Sequence, residues 1–483
     1  MDILKKIKSK YQLMPIPAKA AFWLTLCSLM QKGVSIITVP IFTRMLSTSE
    51  YGVVSVFVSW GNILILFTGL SLASGVFNTA MIRYEKEHNR VVSVLLGLST
   101  TITFAFLLIY LAFSSFFNTL FGFSTGLMLL MILRLLLAPA FNLWMSQQRF
   151  EYNYMPFVIY TLCMTVAVPA IGYFWVLFSQ DRGTARIVSM TVVECAFYAV
   201  LFIVIFFKGR SFFDKKIWWH SIKVNVPLIP HFLSGTILNQ ADRIMIAAMV
   251  SDSAAGKYSV AYSAATLIQI AISSINSSII PWMYKRLKKD TTENISNIKQ
   301  VTNTATFFML LAIVVFTLFA PEFMAILATK EYSDAIVLFP PLTAGVFFMF
   351  VYNLFANIEL YYEKSTYVTI ASVIAAVANV ILNYIFIPVF GYMIAGYTTL
   401  IGYIIYTLTH YYFTQKILKQ NQRKMPLDLS FLFKSCIVVI VFSIFVNILY
   451  DFWILRYSLV IGSTIFIIYK KDTVIALIKK MKS

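Results

Sequence analysis

Charge is scarce in this sequence. Asp, Glu, Lys and Arg together make up 12% of its 483 residues, about half the share of roughly 25% found in soluble domains. A surface with so little charge is not built to face water. Cysteine is rare as well. The four present, Cys27, Cys163, Cys195 and Cys436, lie inside apolar runs and at no metal or redox spacing, so they read as small apolar fillers. There is no glycine-rich phosphate loop, no nucleophile with a local base, and no metal-spaced set of His and Cys. Nothing here calls for a cofactor, a metal or a catalytic residue. With no ATPase domain, any driving force has to come from an ion gradient, the membrane potential or removal of product. Acid is in short supply too, at 20 Asp and Glu against 39 Lys and Arg, a formal net charge of +19.

What is abundant is apolar sequence. Hydrophobic residues make up 59% of the chain and fall in runs of about 20, each long enough to cross a hydrocarbon core of roughly 30 Å as a helix. A membrane barrel alternates apolar with polar residues and gives no such continuous runs. Lipid offers no hydrogen-bond partner to the backbone, and a helix satisfies its own. The expectation is an all-α integral membrane protein of about 14 transmembrane helices. The spans fall at 20–45, 52–72, 91–117, 124–147, 154–178, 185–207, 224–250, 257–283, 301–327, 337–361, 366–388, 393–415, 430–449 and 453–469. No small-residue cleavage site follows the first run, which therefore reads as a retained helix and not a signal peptide.

The basic residues assign a topology. With the N-terminus cytoplasmic, the inner segments carry 28 Lys and Arg, and the outer loops carry 5, namely Arg182, Arg186, Lys257, Lys330 and Arg456. That asymmetry follows the positive-inside rule and places both termini in the cytoplasm, at the inner membrane. Most of the net charge is then a topology signal, with attraction to anionic headgroups secondary. A nucleic-acid partner is not expected, since no aromatic-interleaved basic face remains.

A repeat divides the chain. Residues 45–60 (MLSTSEYGVVSVFVSW) and 249–264 (MVSDSAAGKYSVAYSA) share seven identities in sixteen positions at a constant offset of 204. Both copies close an odd-numbered helix and open the next. Six helices separate them, so they run the same way through the membrane, as in a parallel repeat about an axis along the membrane normal. The resulting plan is an N-terminal lobe at 1–207, a linker at 208–223 with Trp218 and Trp219 as interface anchors, a C-terminal lobe at 224–419, and accessory spans 13 and 14 with a basic tail at 420–483.

Three stretches carry a family resemblance. The first helix ends in Pro40, Ile41, Phe42, Thr43, Arg44, Met45 and Leu46, followed by Glu50, Tyr51 and Gly52. The seventh opens with Pro227, Pro230 and His231 and continues through Gln240, Asp242 and Arg243 to Gly256 and Tyr258. The eleventh runs from Asn379 through Asn383 to Pro388 and Gly391, with Ala395 and Gly396 after it. In this order and spacing they resemble the polysaccharide-flippase branch of the multidrug/oligosaccharidyl-lipid/polysaccharide exporter superfamily, which includes Wzx-type O-antigen and capsule flippases. The resemblance implies two MATE-like six-helix lobes that give alternating access. It also implies a polyprenyl-linked oligosaccharide lipid, carried on undecaprenyl pyrophosphate, as substrate, with a glycan polymerase and other assembly proteins as further partners. A cation-coupled multidrug exporter of the same superfamily is the second reading. A membrane-embedded glycan polymerase is the third, and the short outer loops disfavour it.

Charges at membrane depth cost several kcal/mol unless paired or wetted, which singles out a few residues. Lys32, Arg134 and Glu194 lie near the middle of spans 1, 4 and 6. Lys32 and Arg134 are candidates for meeting a pyrophosphate or an acidic sugar; the plainer reading is an internal ion pair with Glu194. Asp242 and Arg243 lie on span 7, about 100° apart around the helix, and so do not pair with each other. They are candidates for substrate contact or gating, and Asp242 alternatively for a coupling proton or sodium ion. Arg44 at the end of span 1 guards an exit or snorkels to the interface. His231 is a proton-sensitive switch or a packing residue. Glu359 reads as interfacial, and Gln147, Gln148 and Arg149 as a solvated helix end. The prolines within spans suit either moving or static kinks.

Overall fold

In a lipid environment each apolar run satisfies its backbone by coiling, and capping residues decide where a run ends. The computed structural model describes residues 14–289 and 291–469, and among the described residues the regular structure is helical throughout. The first unit contains α1 (Ile16–Met45), α2 (Thr48–Thr68), α3 (His88–Ala112), α4 (Thr125–Phe150), α5 (Tyr154–Leu177) and α6 (Arg182–Gly209). There follow α7 (Ile229–Met249), α8 (Asp252–Lys289, broken by a 3-10 turn at Thr266–Ile268), α9 (Thr292–Leu318) and α10 (Phe339–Tyr361). The chain continues with α11 (Ser365–Phe390), α12 (Ile394–Gln420), α13 (Leu429–Leu449) and α14 (Trp453–Tyr469). Each falls on one of the fourteen expected spans. Eleven helices are long and apolar enough to cross a membrane among the described residues. The other three are α7 and α12, diluted by polar residues, and α14, which has 17 residues. This is a multi-pass membrane protein.

The repeated sequence has a local cause. Ser47 caps α2, accepting from Glu50 N at 3.2 Å while Glu50 Oε2 accepts from Ser47 N at 2.8 Å. At the equivalent place Ser251 caps α8, accepting from Ala254 N at 3.2 Å. An N-cap serine satisfies one of the otherwise orphaned first-turn donors. The two copies thus encode the same sharp exit from one span into the next, and only the first copy closes a full capping box.

Two compact units result, Met1–Leu233 and Ser234–Ser483. The segment read as a linker carries a helix, Lys215–Asn225, that packs on the first unit. Its Trp218 Nε1 donates to Val94 O at 2.9 Å. Asn225 bonds Leu70 O and Val76 N at 2.8 and 2.9 Å. This pins a turn in which Leu70 and Ser71 both adopt positive φ. In the second unit α10 forms the axis: its apolar window is 78% buried, against 6% for α1 in the first. The helices expected as accessories pack into the second unit, with Leu432 and Val439 of α13 in its main core. Arg456 of α14 makes a two-pronged pair with Glu322 at 2.6 and 2.8 Å. The first ten lysine-rich residues and the tail at 470–483, both read as cytoplasmic, lie outside the described residues.

Four of the five cations assigned to outer loops lie in α-helices, Arg182 and Arg186 in α6, Lys257 in α8 and Arg456 in α14, and two of them are buried. Arg456 is 4% exposed in α14, and Arg186 is 8% exposed in α6. The reason is the start of α6: Asp181 caps it, accepting from Thr184 N at 3.0 Å, so the helix already includes Arg182 and carries Arg186 inward. The Thr184 donors hold the Asp181 carboxyl below its ordinary value.

Candidate functional site

In the first unit the sequence places a cation on α4 and a carboxylate on α6, and packing joins them. Arg134 Nε donates to Glu194 Oε2 at 2.6 Å, with both side chains about one-sixth exposed. Gly61 on α2 makes room, since a Cβ there would stand 3.1 Å from the Arg134 guanidinium. The pair expected as the plainer reading is therefore formed. Lys32 does not join it. It lies exposed on α1 and makes no ion pair with any described residue, so the two cations expected to act together stand in different surroundings. Arg44 donates to Pro40 O at 2.8 Å, its own helix end.

Arg186, not singled out in the sequence, is the most enclosed cation among the described residues of this unit. Its guanidinium lies 3.9 Å over the Phe42 ring, Nη1 reaches Val168 O at 3.5 Å, and any side chain at Gly172 would collide with it. It makes no ion pair with a carboxylate. A cation on an aromatic face gains from the ring quadrupole without losing its charge. The missed signal was a glycine and an arginine one helix apart, which spacing alone does not connect.

In the second unit α7, α8, α11 and α12 converge on Asp242, which is 1% exposed. Its carboxylate accepts from Tyr258 Oη at 2.5 Å, Asn383 Nδ2 at 2.5 Å and Thr399 Oγ1 at 2.7 Å. Thr398 donates to Asn383 Oδ1, and Asn379 extends the chain toward Thr399 at 3.5 Å. Its direct hydrogen-bond partners are all neutral donors, and the Arg243 guanidinium acts on it only at a distance. Its neighbours also supply amide and hydroxyl oxygens, the hard donors that a small cation such as sodium prefers. Asn379 and Asn383 are one helical turn apart on α11, a spacing visible in the sequence, but their partner is about 140 residues away.

Arg243 points elsewhere, as the helical angle between neighbours requires. It bonds Asn239 O at 2.7 Å and Gln240 Oε1 at 3.0 Å, and its guanidinium lies 4.6 Å over Tyr262. At 9% exposure it makes no ion pair with a carboxylate. His231, in the first turn of α7, lies with its ring tilted against Phe232, centroids 5.5 Å apart, and is not one of the donors to Asp242. Glu359 corrects its interfacial reading. It is fully buried and paired with His410 Nδ1 at 3.0 Å, and Thr414 also donates to it. Histidine 410 had no sequence signal, because its carboxylate sits on another helix.

Two cavities open within the first unit. One of about 370 Å³ is lined by Ser71, Ser74, Asn142, Ser146, Arg149 and Phe232 among others. The second, of about 400 Å³, lies among the ends of α3 to α6. Gln147 and Gln148, read as a solvated helix end, are both 7% exposed and line this second cavity.

Comparison with known proteins fits this architecture. Residues 18–287 match the family described as polysaccharide biosynthesis protein, and residues 227–385 match the MatE family. No curated protein sequence matches the chain. Among solved structures, the lipid II flippase MurJ in an inward closed conformation aligns with 93% of this chain and 99% of its own, at TM-score 0.69 and 13% identity. An inward-facing multidrug resistance MATE transporter covers 83% of this chain and 98% of its own, at TM-score 0.61 and 15% identity. A transporter of the same superfamily from Pyrococcus furiosus covers 84% and 97%, at TM-score 0.53 and 13% identity. With a family match over more than half its length, the chain belongs to the polysaccharide biosynthesis protein family, and it shares the fold of these transporters.

Proposed function

We propose that this protein is a flippase that moves undecaprenyl-pyrophosphate-linked oligosaccharide from the cytoplasmic to the outer leaflet by alternating access. It would reside in the inner membrane with both termini cytoplasmic, supplying O-antigen, capsule or exopolysaccharide assembly and its polymerase. The observation that carries this reading is an imbalance in how charges are satisfied. Glu194, Asp242 and Glu359 are each engaged inside the protein, by Arg134, by three neutral donors and by His410. Among the described residues, Lys32, Arg186 and Arg243 make no ion pair with a carboxylate. Arg186 and Arg243, enclosed without a paired carboxylate, attract an anionic headgroup strongly in low dielectric, and Lys32 adds an exposed cation. The Asp242 cage is the matching candidate for a coupling proton or sodium ion.

The multidrug reading has one observation in its favour, the MatE match over 227–385. Cationic drugs would need an unengaged carboxylate, and those at membrane depth are spoken for. The test is complementation of a flippase-deleted strain. The wild-type chain restores surface glycan, while Arg243→Glu and Lys32→Glu abolish it at unchanged protein abundance. Normal glycan display with both reversals would remove the basis of the proposal. Drug resistance without glycan display would establish the multidrug reading instead.

A further inference from the structure

The cavity at the ends of α3 to α6 has a chemistry that differs from the cationic positions above. Asn89, Gln147, Gln148 and Asn153 bring four amides to it, with Trp144 supplying an aromatic wall. Their internal bonds leave half of each amide pair uncommitted. Gln147 Nε2 donates to Asn89 Oδ1 at 3.0 Å and Glu151 Oε1 at 2.9 Å, and Gln147 Oε1 has no partner among the described residues. Asn153 Nδ2 donates to Gln148 Oε1 at 2.7 Å, and Gln148 Nε2 has no partner among the described residues. Both glutamines are more than nine-tenths buried. Buried amides at this level of enclosure ordinarily find partners, and here the open side faces a space of about 400 Å³.

The two charges on the wall, Glu151 and Lys208, are of opposite sign, which disfavours a phosphate and favours a neutral ligand. Free acceptors beside free donors match vicinal hydroxyls, each of which donates and accepts. An indole face suits the apolar face of a ring. The volume lies at the small end of ligand-binding cavities, about 300 to 1,000 Å³. We infer that this cavity is a binding site for a single neutral pyranose ring, separate from the cationic positions. The ring is either a free cytosolic monosaccharide or a sugar of the transported glycan. Exposed Arg83, Lys86, Arg90 and Arg210 gather at this end, the end that the charge asymmetry assigns to the cytoplasm.

The test uses the full-length purified protein in detergent, with glucose, galactose and N-acetylglucosamine as probes. Binding is read by quenching of tryptophan fluorescence. The expected result is saturable quenching by at least one sugar, weakened about tenfold or more by Gln148→Leu, which removes the free donor. Val204→Phe fills the cavity from α6 without removing a hydrogen bond, and it keeps the test valid should the glutamine variant fail to fold. Silence of the wild-type protein toward all three sugars, or unchanged binding in Val204→Phe, overturns the inference. Lipid-linked transport separates the two sources. If Val204→Phe slows flipping with no free sugar present, the ring belongs to the substrate; if it removes only a response to added sugar, the ligand is the free monosaccharide. Because binding is read without transport, failure here leaves the flippase reading standing, and failure of the flippase reading leaves this one standing.

Discussion

At the scale of single residues, partners decide what each charge does. Glu194 neutralises Arg134 in a partly enclosed pair. Removing one member of such a pair strands the other, at a cost of about 3 to 5 kcal/mol when burial is complete. Glu194→Gln should therefore lower stability in denaturant titration by a large part of that amount. The double variant Arg134→Met with Glu194→Leu should recover most of it. If the double variant folds well yet no longer restores glycan, Arg134 serves transport as well as packing; full restoration would confine the pair to a structural role. Asp242 poses the opposite case, a carboxylate caged by neutral groups. Asp242→Ala strands three donors at about 1 to 3 kcal/mol each and should destabilise markedly. Asp242→Asn keeps the shape and should spare the melting temperature while abolishing any dependence of transport on the coupling ion.

At the scale of elements, caps and kinks set the helix ends. Ser47 and Ser251 do the same work at the two copies of the repeat. Alanine at either should cost about 1 kcal/mol, with the larger loss at Ser47, where Glu50 completes the box; thermal denaturation of the two variants measures the difference. Asp428, the cap of α13, also ties that helix to α9 through Asn303 at 3.0 Å. The Asn303 side chain and the Phe431 backbone hold its carboxyl below the ordinary value. A depressed pKa contributes stability that is present above the unfolded value of about 3.9 and is lost as pH falls through the folded value. The melting temperatures of wild type and Asp428→Asn should thus differ at neutral pH and converge below about pH 4. A gap that persists in acid would mean that the charge of Asp428 adds nothing. These end signals were legible in the sequence, since a serine or aspartate before an apolar run is a local feature. The helix at Lys215–Asn225 was not, because Asn225 is held by Leu70 and Val76, about 150 positions earlier.

At the scale of the whole molecule, the proposed cargo carries negative charge, and the membrane potential acts on that charge. An inside-negative potential assists an anionic headgroup leaving the cytoplasm by about 2.3 kcal/mol per charge per 100 mV. In proteoliposomes carrying a fluorescent polyprenyl-pyrophosphate sugar, a lumen-negative potential should drive the label outward. Collapsing that potential should slow or halt the movement. Equal transport with and without the potential would mean that the charge crosses in compensated form, with a cation bound at the Asp242 cage.

Composition and periodicity by themselves determined the all-helical membrane class, the order and approximate bounds of the spans, and the repeat that opens α2 and α8. All of these depend on residues within one run or one turn of each other, and lipid leaves a long apolar run little choice but to become a helix. Tertiary structure alone decided which charges are answered. Arg134 and Glu194 are 60 positions apart, and Asp242 and Asn383 are 141. Whether Arg186 ends in a loop or against Phe42, and whether Gln148 stands in bulk water or lines a cavity, depends on how helices face one another. That facing is set by side-chain packing across helices, on which the hydropathy of any single run is silent.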